Sequence, residues 1–250
     1  MMSFTEAIII ENLRKEYQDV VAVDDLTLRV PRGELFGLLG PNGAGKSTTI
    51  NVLCGIVKPT RGNVLVGEMD VQKSPERVKA LIGVCPQEPA VFTFLTGREN
   101  VELFGALAGM SKDAIKQRSD TLLDKIGLME GAARQTKKYS GGMIRRISLV
   151  MALIQDPEIA FLDEPTAAMD PQSRRAVWDF IKDLKARGKT VILTTHYIEE
   201  AQALCDRVGI IDYGKLIALD TPQKLIEMHQ VANLEEVFIK LTGRQIREDV

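Results

Sequence analysis

Short apolar segments alternate with amphipathic segments along most of the chain. In the segment LTLRV, Leu26, Leu28 and Val30 alternate with polar residues, the period-two pattern of a half-buried antiparallel strand. Three other segments, ELFGLLG, IAFLDEP and TVILTTH, are almost continuously apolar, as in strands covered on both faces. Segments with helical spacing lie between them, at about residues 46–54 and 174–187. Because strands that alternate with helices form parallel sheets, the pattern predicts an α/β fold.

The middle of the chain, from about residue 88 to 153, is predicted to be mostly helical. Thr96 and Glu99 have the spacing of a capping box, which marks a helix start. Apolar residues follow at helical spacing, at Val101, Leu103, Phe104, Leu107 and Ala108. Further on, RVGIIDYGKLIALD predicts a strand hairpin. We expect a core at residues 1–88 and 154–220 that includes an antiparallel β region, a helical subdomain inserted at 89–153, and a helical extension at 221–250.

Composition narrows the class of protein. The 250 residues are 45% hydrophobic and 26% charged with a net charge of -2, which is ordinary for a globular protein and gives no bulk positive charge for nucleic acid. The three cysteines are far apart and match no zinc spacing, so we expect reduced, buried thiols in a cytosolic protein. No signal peptide and no membrane-spanning apolar run of about 18 residues is evident. A role at a membrane would therefore need a partner.

The segment GPNGAGKST, at residues 40–48, fits the phosphate-binding pattern G-x-x-x-x-G-K-[ST] and lies between an apolar strand and a helix. Glycines let successive N–H groups point at phosphates, and the helix adds the positive end of its dipole. Lys46 is expected to contact the β- and γ-phosphates, and Ser47 to bind Mg²⁺. A chance glycine-rich turn is the alternative, which the flanking strand and helix disfavour. The residues expected to bind the nucleotide are Gly40, Asn42, Gly43, Ala44, Gly45, Lys46, Ser47 and Thr48.

Two other apolar strands end in residues that suit phosphate hydrolysis. IAFLDEP delivers Asp163, an expected Mg²⁺ ligand, and Glu164, which is placed to polarise a water molecule for attack on the γ-phosphate. An acidic pair can instead be solvated or cap a helix, but the phosphate-binding segment favours the catalytic interpretation. His196 ends VILTTH and is expected to contact the γ-phosphate, although a lone histidine is more often structural.

A second glycine pair, in KKYSGGMIRR at residues 137–146, precedes a predicted basic amphipathic helix. Ser140, Gly141 and Gly142 would offer a hydroxyl and two N–H groups to an anion. One nucleotide needs only one phosphate-binding loop, so a second subunit would have to supply the ligand of this second site. The alternative is a flexible hinge before a helix.

Over about residues 7–220, these motifs and their order resemble those of the nucleotide-binding subunits of ATP-binding cassette (ABC) transporters. The resemblance implies a P-loop NTPase (RecA-like) core with a mainly parallel sheet, and a site for ATP and Mg²⁺. It implies that Gln87 in CPQE lies at the Mg²⁺ and water site, that Tyr17 in RKEY stacks on adenine, and that Asp170 in AAMDP crosses a dimer interface. It also implies that Ser140-Gly-Gly of one subunit closes over the γ-phosphate held by the other.

Some residues depart from the family pattern. Ala168 and Met169 stand where glycine and leucine are usual, and Tyr139 and Met143 replace leucine and glutamine. YSGGM followed by RR, and LEEVFIKLTGR at residues 234–244, resemble the drug- and lipid-exporter branch, which includes daunorubicin-resistance ATPases. That branch implies a dimer of ATPase subunits that energises export by a separate integral membrane permease at the inner face of the cell membrane.

Two other classes of protein share some of these motifs. A soluble ABC ATPase could act on a protein-assembly or nucleic-acid machine, but the long coiled coil of the DNA-maintenance ATPases is missing, and translation-factor relatives carry two cassettes. Basic residues beside the second glycine pair are expected to be solvated, so no stable nucleic-acid partner is expected. The assembly-factor version stays open. A P-loop kinase would not explain Gln87, YSGGM, LDEP and His196 in this order.

Overall fold

The computed structural model describes residues 6–243, and its helices and strands follow the alternation predicted from the sequence. Residues 1–5 and 244–250, including Arg244 of the segment 234–244, lie outside the described residues. In chain order the elements are β1 (Glu6–Tyr17), β2 (Val20–Pro31), β3 (Leu35–Leu39), α1 (Lys46–Leu53), β4 (Arg61–Val66), β5 (Met69–Asp70), α2 (Pro75–Leu81), β6 (Ile82–Cys85), α3 (Gly97–Leu107), α4 (Lys112–Lys125), α5 (Gly141–Leu153), β7 (Ile159–Asp163), α6 (Pro171–Ala186), β8 (Thr190–Thr195), α7 (Ile198–Leu204), β9 (Arg207–Asp212), β10 (Lys215–Asp220), α8 (Pro222–His229) and α9 (Leu234–Thr242).

The first strands form an antiparallel sheet of four strands in the order β2-β1-β4-β5. Leu26, Leu28 and Val30 of β2 are buried and the residues between them are exposed, so the period-two pattern marks the inner face as predicted. This sheet covers one side of the molecule and carries Tyr17 at the end of β1.

The second sheet has six strands in the order β10-β9-β3-β8-β7-β6. Its pairs β6–β7, β7–β8, β8–β3 and β3–β9 are parallel, and β10 adds an antiparallel hairpin strand at the edge. Every residue of β3, β7 and β8 is buried, as expected of strands covered on both faces. The predicted α/β class and the final hairpin are therefore confirmed.

Hydrophobic clusters cover both faces of this parallel sheet. In β3, Leu35 and Leu39 pack into a cluster with α3–α7 and α9, while Phe36 and Leu38 pack into a cluster with the antiparallel sheet and α1. The alternation of side chains along a strand produces this division. The parallel sheet is thereby fixed between two layers, and its strands are buried up to their carboxyl ends.

Helices α3, α4 and α5 lie in the chain between β6 and β7 and pack on one another. The predicted capping box is present: Glu99 N donates to Thr96 Oγ1 at 3.1 Å, and Thr96 N donates to Glu99 Oε2 at 2.7 Å. Leu107, which continued the apolar spacing of α3, is 73% exposed, because the helix ends at this residue. The division of the chain into a core, an inserted subdomain and an extension stays a prediction.

The helix predicted at residues 174–187 begins earlier, at Pro171, because Asp170 caps its first turn. Helix α9, within the 234–244 segment, has an apolar face: Leu234, Val237 and Phe238 are buried, and the helix packs on α7 and α8. Within residues 6–243, no helix combines the length and apolarity that crossing a bilayer requires.

All three cysteines are buried, as expected from their spacing. Burial raises the pKa of Cys85 to about 11 and also raises the pKa of Cys54 and of Cys205 above the usual range of a thiol. The thiolate is the reactive form of cysteine, so the native thiols should be inert at neutral pH.

We predict that a disulfide reagent such as 5,5′-dithiobis(2-nitrobenzoate) at pH 7.5 labels almost no thiol of the native protein within minutes. The same reagent should label all three cysteines in guanidinium chloride, where burial is lost. Absorbance of the released thiolate measures both reactions. One thiol that reacts at once without denaturant would contradict the packing described here.

Candidate functional site

The phosphate loop, defined as residues 40–48, connects β3 to α1 at the carboxyl end of the parallel sheet. Gly43 and Gly45 have φ angles of 79° and 103°, in the region that side chains rarely adopt, and a Cβ on Gly45 would collide with the carbonyl oxygen of Ala22 in β2. The loop is also fixed from the other side, where Gly214 N donates to Ala44 O at 3.0 Å. Gly45 is thus required where three backbones approach one another, whereas Gly43 is favoured by its positive φ angle.

Helix α1 begins directly from this loop and has no side-chain cap at Gly45. The N–H groups in the first turn of a helix have no partners within that helix. Ser47 and Thr48 lie in this turn and are partly exposed. An uncapped helix start behind a glycine loop is a suitable site for an anion such as phosphate.

The side chain of Lys46 lies across the loop and is only 4% exposed. Its ammonium group donates to Gly40 O at 2.8 Å and to Pro41 O at 3.1 Å, and lies 3.5 Å from Glu164 Oε1. Burial lowers the pKa of Lys46, while the charges of Glu164 and Asp163 oppose that effect. The positive charge is therefore held inside the loop, close to the acidic end of β7.

Asp163 ends β7 and pairs in register with Thr194 of the neighbouring strand β8. The Thr194 hydroxyl donates to Asp163 Oδ1, and both residues are buried. Sequence reasoning assigned no role to Thr194. The pattern that indicates a role for Thr194 is the polar pair Thr194-Thr195 at the end of an otherwise apolar strand.

Glu164 is the point where four segments meet. Its carboxylate is contacted by Lys46 Nζ at 3.5 Å, by His196 Nδ1 at 3.2 Å and by Gln87 Nε2 at 3.4 Å. Burial alone would raise the pKa of Glu164, but the contact with His196 and the charge of Lys46 outweigh it and lower that pKa. The carboxylate is therefore ionised at neutral pH and can accept a proton.

The backbone of Glu164 is unusual as well, with a φ of 50° in a residue that is not glycine. Its N–H donates to Thr194 O and to Thr194 Oγ1, both at 3.1 Å. Left-handed backbone at such a residue costs about 1–3 kcal/mol and is typical of functional sites. Strand β8 thus holds the turn that presents the Glu164 carboxylate.

The predicted Mg²⁺ ligands Ser47, Asp163 and Gln87 offer one hydroxyl, one carboxylate and one amide. Within residues 6–243, no group of three or more His, Cys, Asp or Glu side chains forms a cage for a metal ion. This donor set fits Mg²⁺, which proteins usually bind through one or two carboxylates together with substrate phosphates and water.

The signature loop, defined as residues 139–143, is the second anion site predicted from the sequence. Ser140 caps α5, and its Oγ accepts from Met143 N at 3.3 Å. Ser140 and Gly141 are exposed, and a Cβ on Gly141 would meet nothing within 4 Å. Among the described contacts, none joins this loop to the phosphate loop of the same chain. In a single chain, the two predicted anion sites therefore make no direct contact with each other among the described residues.

Tyr139 and Met143, which depart from the family pattern, both pack inward. The Tyr139 hydroxyl donates to Gly131 O at 2.8 Å, and its ring lies against Gly97 at the start of α3. Met143 packs against Gly131, and its sulfur accepts from Arg134 Nη2 at 3.7 Å. These residues therefore support the loop from behind, and Ser140 and Gly141 remain open to solvent.

Tyr17 and Asp170 lie at other edges of the site. Tyr17 is 43% exposed and pairs with Val20, two residues along β2 from the Ala22 that packs on the phosphate loop. Lys15 Nζ lies 4.6 Å from the centre of the Tyr17 ring. Asp170 is exposed, and its Oδ1 accepts from Gln172 N and Ser173 N at the start of α6.

Ala168 and Met169 precede Asp170 in the same turn. Ala168 has a φ of 56°, which explains why glycine is usual at this position. Met169 is buried, and its Cγ would lie 3.9 Å from a Cβ on Gly142. Met169 therefore lies between the turn that follows Glu164 and the start of α5.

Comparison with known proteins points to one family. The model of the family described as ABC transporter matches residues 23–167. The doxorubicin resistance ATP-binding protein DrrA of Mycobacterium tuberculosis is 43% identical over 97% of this chain and 72% of its own length. The solved ATP-binding subunit of an ABC transporter has a TM-score of 0.86 at 28% identity, covering 94% of this chain and 99% of that chain. The ATP-binding cassette MJ0796, solved as a dimer in a post-hydrolysis state with ADP and phosphate, has a TM-score of 0.80 at 27% identity. The match covers 86% of this chain and 98% of that chain.

We predict that Lys46→Ala weakens binding of ATP by about 10–100-fold, because a hydrogen bond to a charged group contributes about 1.5–3 kcal/mol. Isothermal titration calorimetry with ATP measures the loss. Lys116→Ala, which removes an exposed lysine on α4, is the matched control and should bind like the unchanged protein. Equal affinities for all three proteins would refute the assignment of the phosphate loop.

Proposed function

The chain belongs to the ABC transporter family, and we propose that two copies of it enclose two ATP molecules, with the signature loop of each copy closing over the γ-phosphate bound by the phosphate loop of the other. As a member of this family, the chain is an ATP-binding and ATP-hydrolysing subunit that energises export. The alternative of an assembly-factor ATPase is not favoured, since relatives such as DrrA are named for drug resistance.

The proposed pairing rests on the exposure of the signature loop, which makes no described contact with the phosphate loop of its own chain. Ser140 and Gly141 are exposed at an N-terminus of a 13-residue helix, while the buried Lys46 lies in a different loop. In a two-fold symmetric dimer, a contact between the signature loop of one copy and the phosphate loop of the other is repeated by the symmetry, so both sites are completed together. The similarity to a dimeric cassette supports the same arrangement.

In each composite site, we assign Glu164 the role of general base. Its carboxylate accepts a proton from the water that attacks the γ-phosphate, and His196 and Lys46 orient the phosphate for in-line attack. A base must be unprotonated before the reaction, and the contacts with His196 and Lys46 keep the pKa of Glu164 below its ordinary value, so the carboxylate is ionised at neutral pH. The Mg²⁺ that accompanies ATP would be held by Ser47, Asp163 and Gln87 and would neutralise charge on the phosphate oxygens.

We assign the adenine to Tyr17 and the contact across the dimer to Asp170. The Tyr17 ring has Lys15 near it and is exposed enough to stack on a base. Asp170 is exposed at the N-terminus of α6, with its Oδ1 used in capping that helix. A capped, rigid helix start gives the contact across the interface a fixed position.

Hydrolysis would then act as a switch between a closed and an open dimer. Only the triphosphate contacts Lys46 of one copy and Ser140 of the other, so ATP stabilises the closed state selectively. Cleavage and release of the γ-phosphate remove the group that joins the two surfaces, and the dimer opens.

We propose that the permease contacts a groove beside Gln87. A cavity of about 180 Å³ lies there between β6 and the helices α3 and α5, lined by apolar residues such as Val84, Ala90, Phe104 and Met151. This groove lies between the segment that contains Gln87 and α5, the helix that begins at the signature loop. A membrane subunit that docks in it would hold the chain at the inner face of the cell membrane.

We predict that Glu164→Gln lowers ATP turnover by about 100-fold or more, which is the usual contribution of a general base. The variant should also accumulate as a dimer in ATP and Mg²⁺, because the bridging triphosphate persists. Multi-angle light scattering measures the mass, and phosphate release measures turnover.

The matched control adds a second change, Ser140→Arg, which places a bulky side chain at the tip of the signature loop. Glu164→Gln with Ser140→Arg should remain monomeric in ATP while it still binds the nucleotide. A monomeric Glu164→Gln at concentrations that support turnover in the unchanged protein would refute the proposed pairing.

A further inference from the structure

A buried carboxylate lies behind the catalytic turns, at Glu200 in α7. Its side chain is fully inaccessible to solvent, and its Oε1 accepts from Thr166 Oγ1 at 2.7 Å and from Trp178 Nε1 at 2.9 Å. The hydroxyl of Thr195 also interacts with this carboxylate. Glu200 is not among the residues assigned above to nucleotide binding or to hydrolysis.

These partners come from the segments that carry the catalytic groups. Thr166 follows Glu164 by two residues, and Thr195 immediately precedes His196. Both threonines have no solvent exposure. One carboxylate on α7 is thus hydrogen-bonded to the turn that presents the general base, and it also interacts with Thr195 at the strand end that presents His196.

The turn after β7 needs such a support, because it contains two strained residues. Glu164 and Ala168 both have left-handed φ angles, at 50° and 56°. Thr166 lies between them, and its backbone oxygen accepts from Met169 N at 3.2 Å. Strained turns persist when surrounding contacts fix them, and the side chain of Thr166 makes such a contact with a separate helix.

Stability alone is a weak reason for a carboxylate at this position. Glu200 Oε2 is buried and makes no hydrogen bond within the described residues, and Arg174, which acts on it through its charge, has a buried Nε that also makes none. Removing a charged group from water is unfavourable, and well-packed apolar residues often replace buried charges without loss of stability. A carboxylate at this position therefore fits a requirement for defined geometry.

We propose that Glu200 is a positioning residue for ATP hydrolysis, which fixes the turn of Glu164 and the end of β8 relative to each other so that Glu164 and His196 face the same γ-phosphate. The inference rests on the catalytic roles proposed above for these two residues. Glu200 acts through Thr166 and Thr195 and does not contact the nucleotide.

Two substitutions each remove one hydrogen bond to Glu200 Oε1. Together they distinguish a role in positioning the catalytic groups from a role in the stability of the fold. Thr166→Val removes the bond to the catalytic turn, and Trp178→Phe removes the bond to α6, which presents neither Glu164 nor His196. Thr166→Ser keeps the hydroxyl. Steady-state ATP hydrolysis by the full chain gives kcat and KM, and thermal unfolding gives Tm for every variant.

If Glu200 is a positioning residue, Thr166→Val should lower kcat by about tenfold or more and change the KM for ATP by less than about twofold. The reason is that small displacements of a catalytic group have large effects on rate. Trp178→Phe should lower Tm to a similar extent and keep kcat within about twofold. Thr166→Ser should restore most of kcat. The Glu164→Gln variant is assayed beside them.

Two results would overturn the inference: an unchanged kcat in Thr166→Val, or an equal loss of kcat in Trp178→Phe. If Thr166→Val keeps its activity while Glu164→Gln loses it, Glu200 has no positioning role and the proposed function stands. If Glu164→Gln keeps its turnover, the proposed function itself fails, whatever the threonine variants do.

Discussion

The parallel register of β3, β8 and β7 is the constraint on which the site depends. Leu39 pairs with Thr195, and Thr194 pairs with Asp163, so three strands end at the same level. The phosphate loop, the turn of Glu164 and the turn of His196 begin at these ends and meet without long loops. Two hydrophobic layers hold the three strands in place, which is why groups more than 100 residues apart in sequence lie within hydrogen-bonding distance.

Burial determines how the charged groups at the carboxyl ends of the parallel strands affect one another. Lys46 and Glu164 are 4% and 6% exposed, and each reduces the unfavourable burial of the other's charge. The lowered pKa of Glu164 is a result of this grouping, since burial alone would raise it. The exposed signature loop is different: it offers a serine hydroxyl and the start of a helix to solvent, and its proposed ligand is bound by another copy of the chain.

Sequence reasoning recovered what is encoded in continuous segments: the phosphate loop, the buried strands, the capping box at Thr96 and the acidic pair after β7. It could not recover contacts between distant segments, such as Glu200 with Thr166 or Thr194 with Asp163, because no local pattern encodes them. It also could not predict that Tyr139 and Met143 pack inward, since side-chain direction at a helix start depends on neighbouring elements. The apolar spacing of α3 predicted the helix correctly, but Leu107 is exposed because the helix ends there.

The central claim is that each ATP site contains residues from two chains. Mixing two inactive variants, Lys46→Ala and Ser140→Arg, tests it most directly. A mixed dimer has one site with both changes and one with neither, so phosphate release should reappear in an equal mixture, at about a quarter of the unchanged protein's rate for random pairing and more where the mixed dimer is the favoured pair. If the signature loop served the nucleotide of its own chain, every site would carry one change, and a mixture without activity would contradict the account.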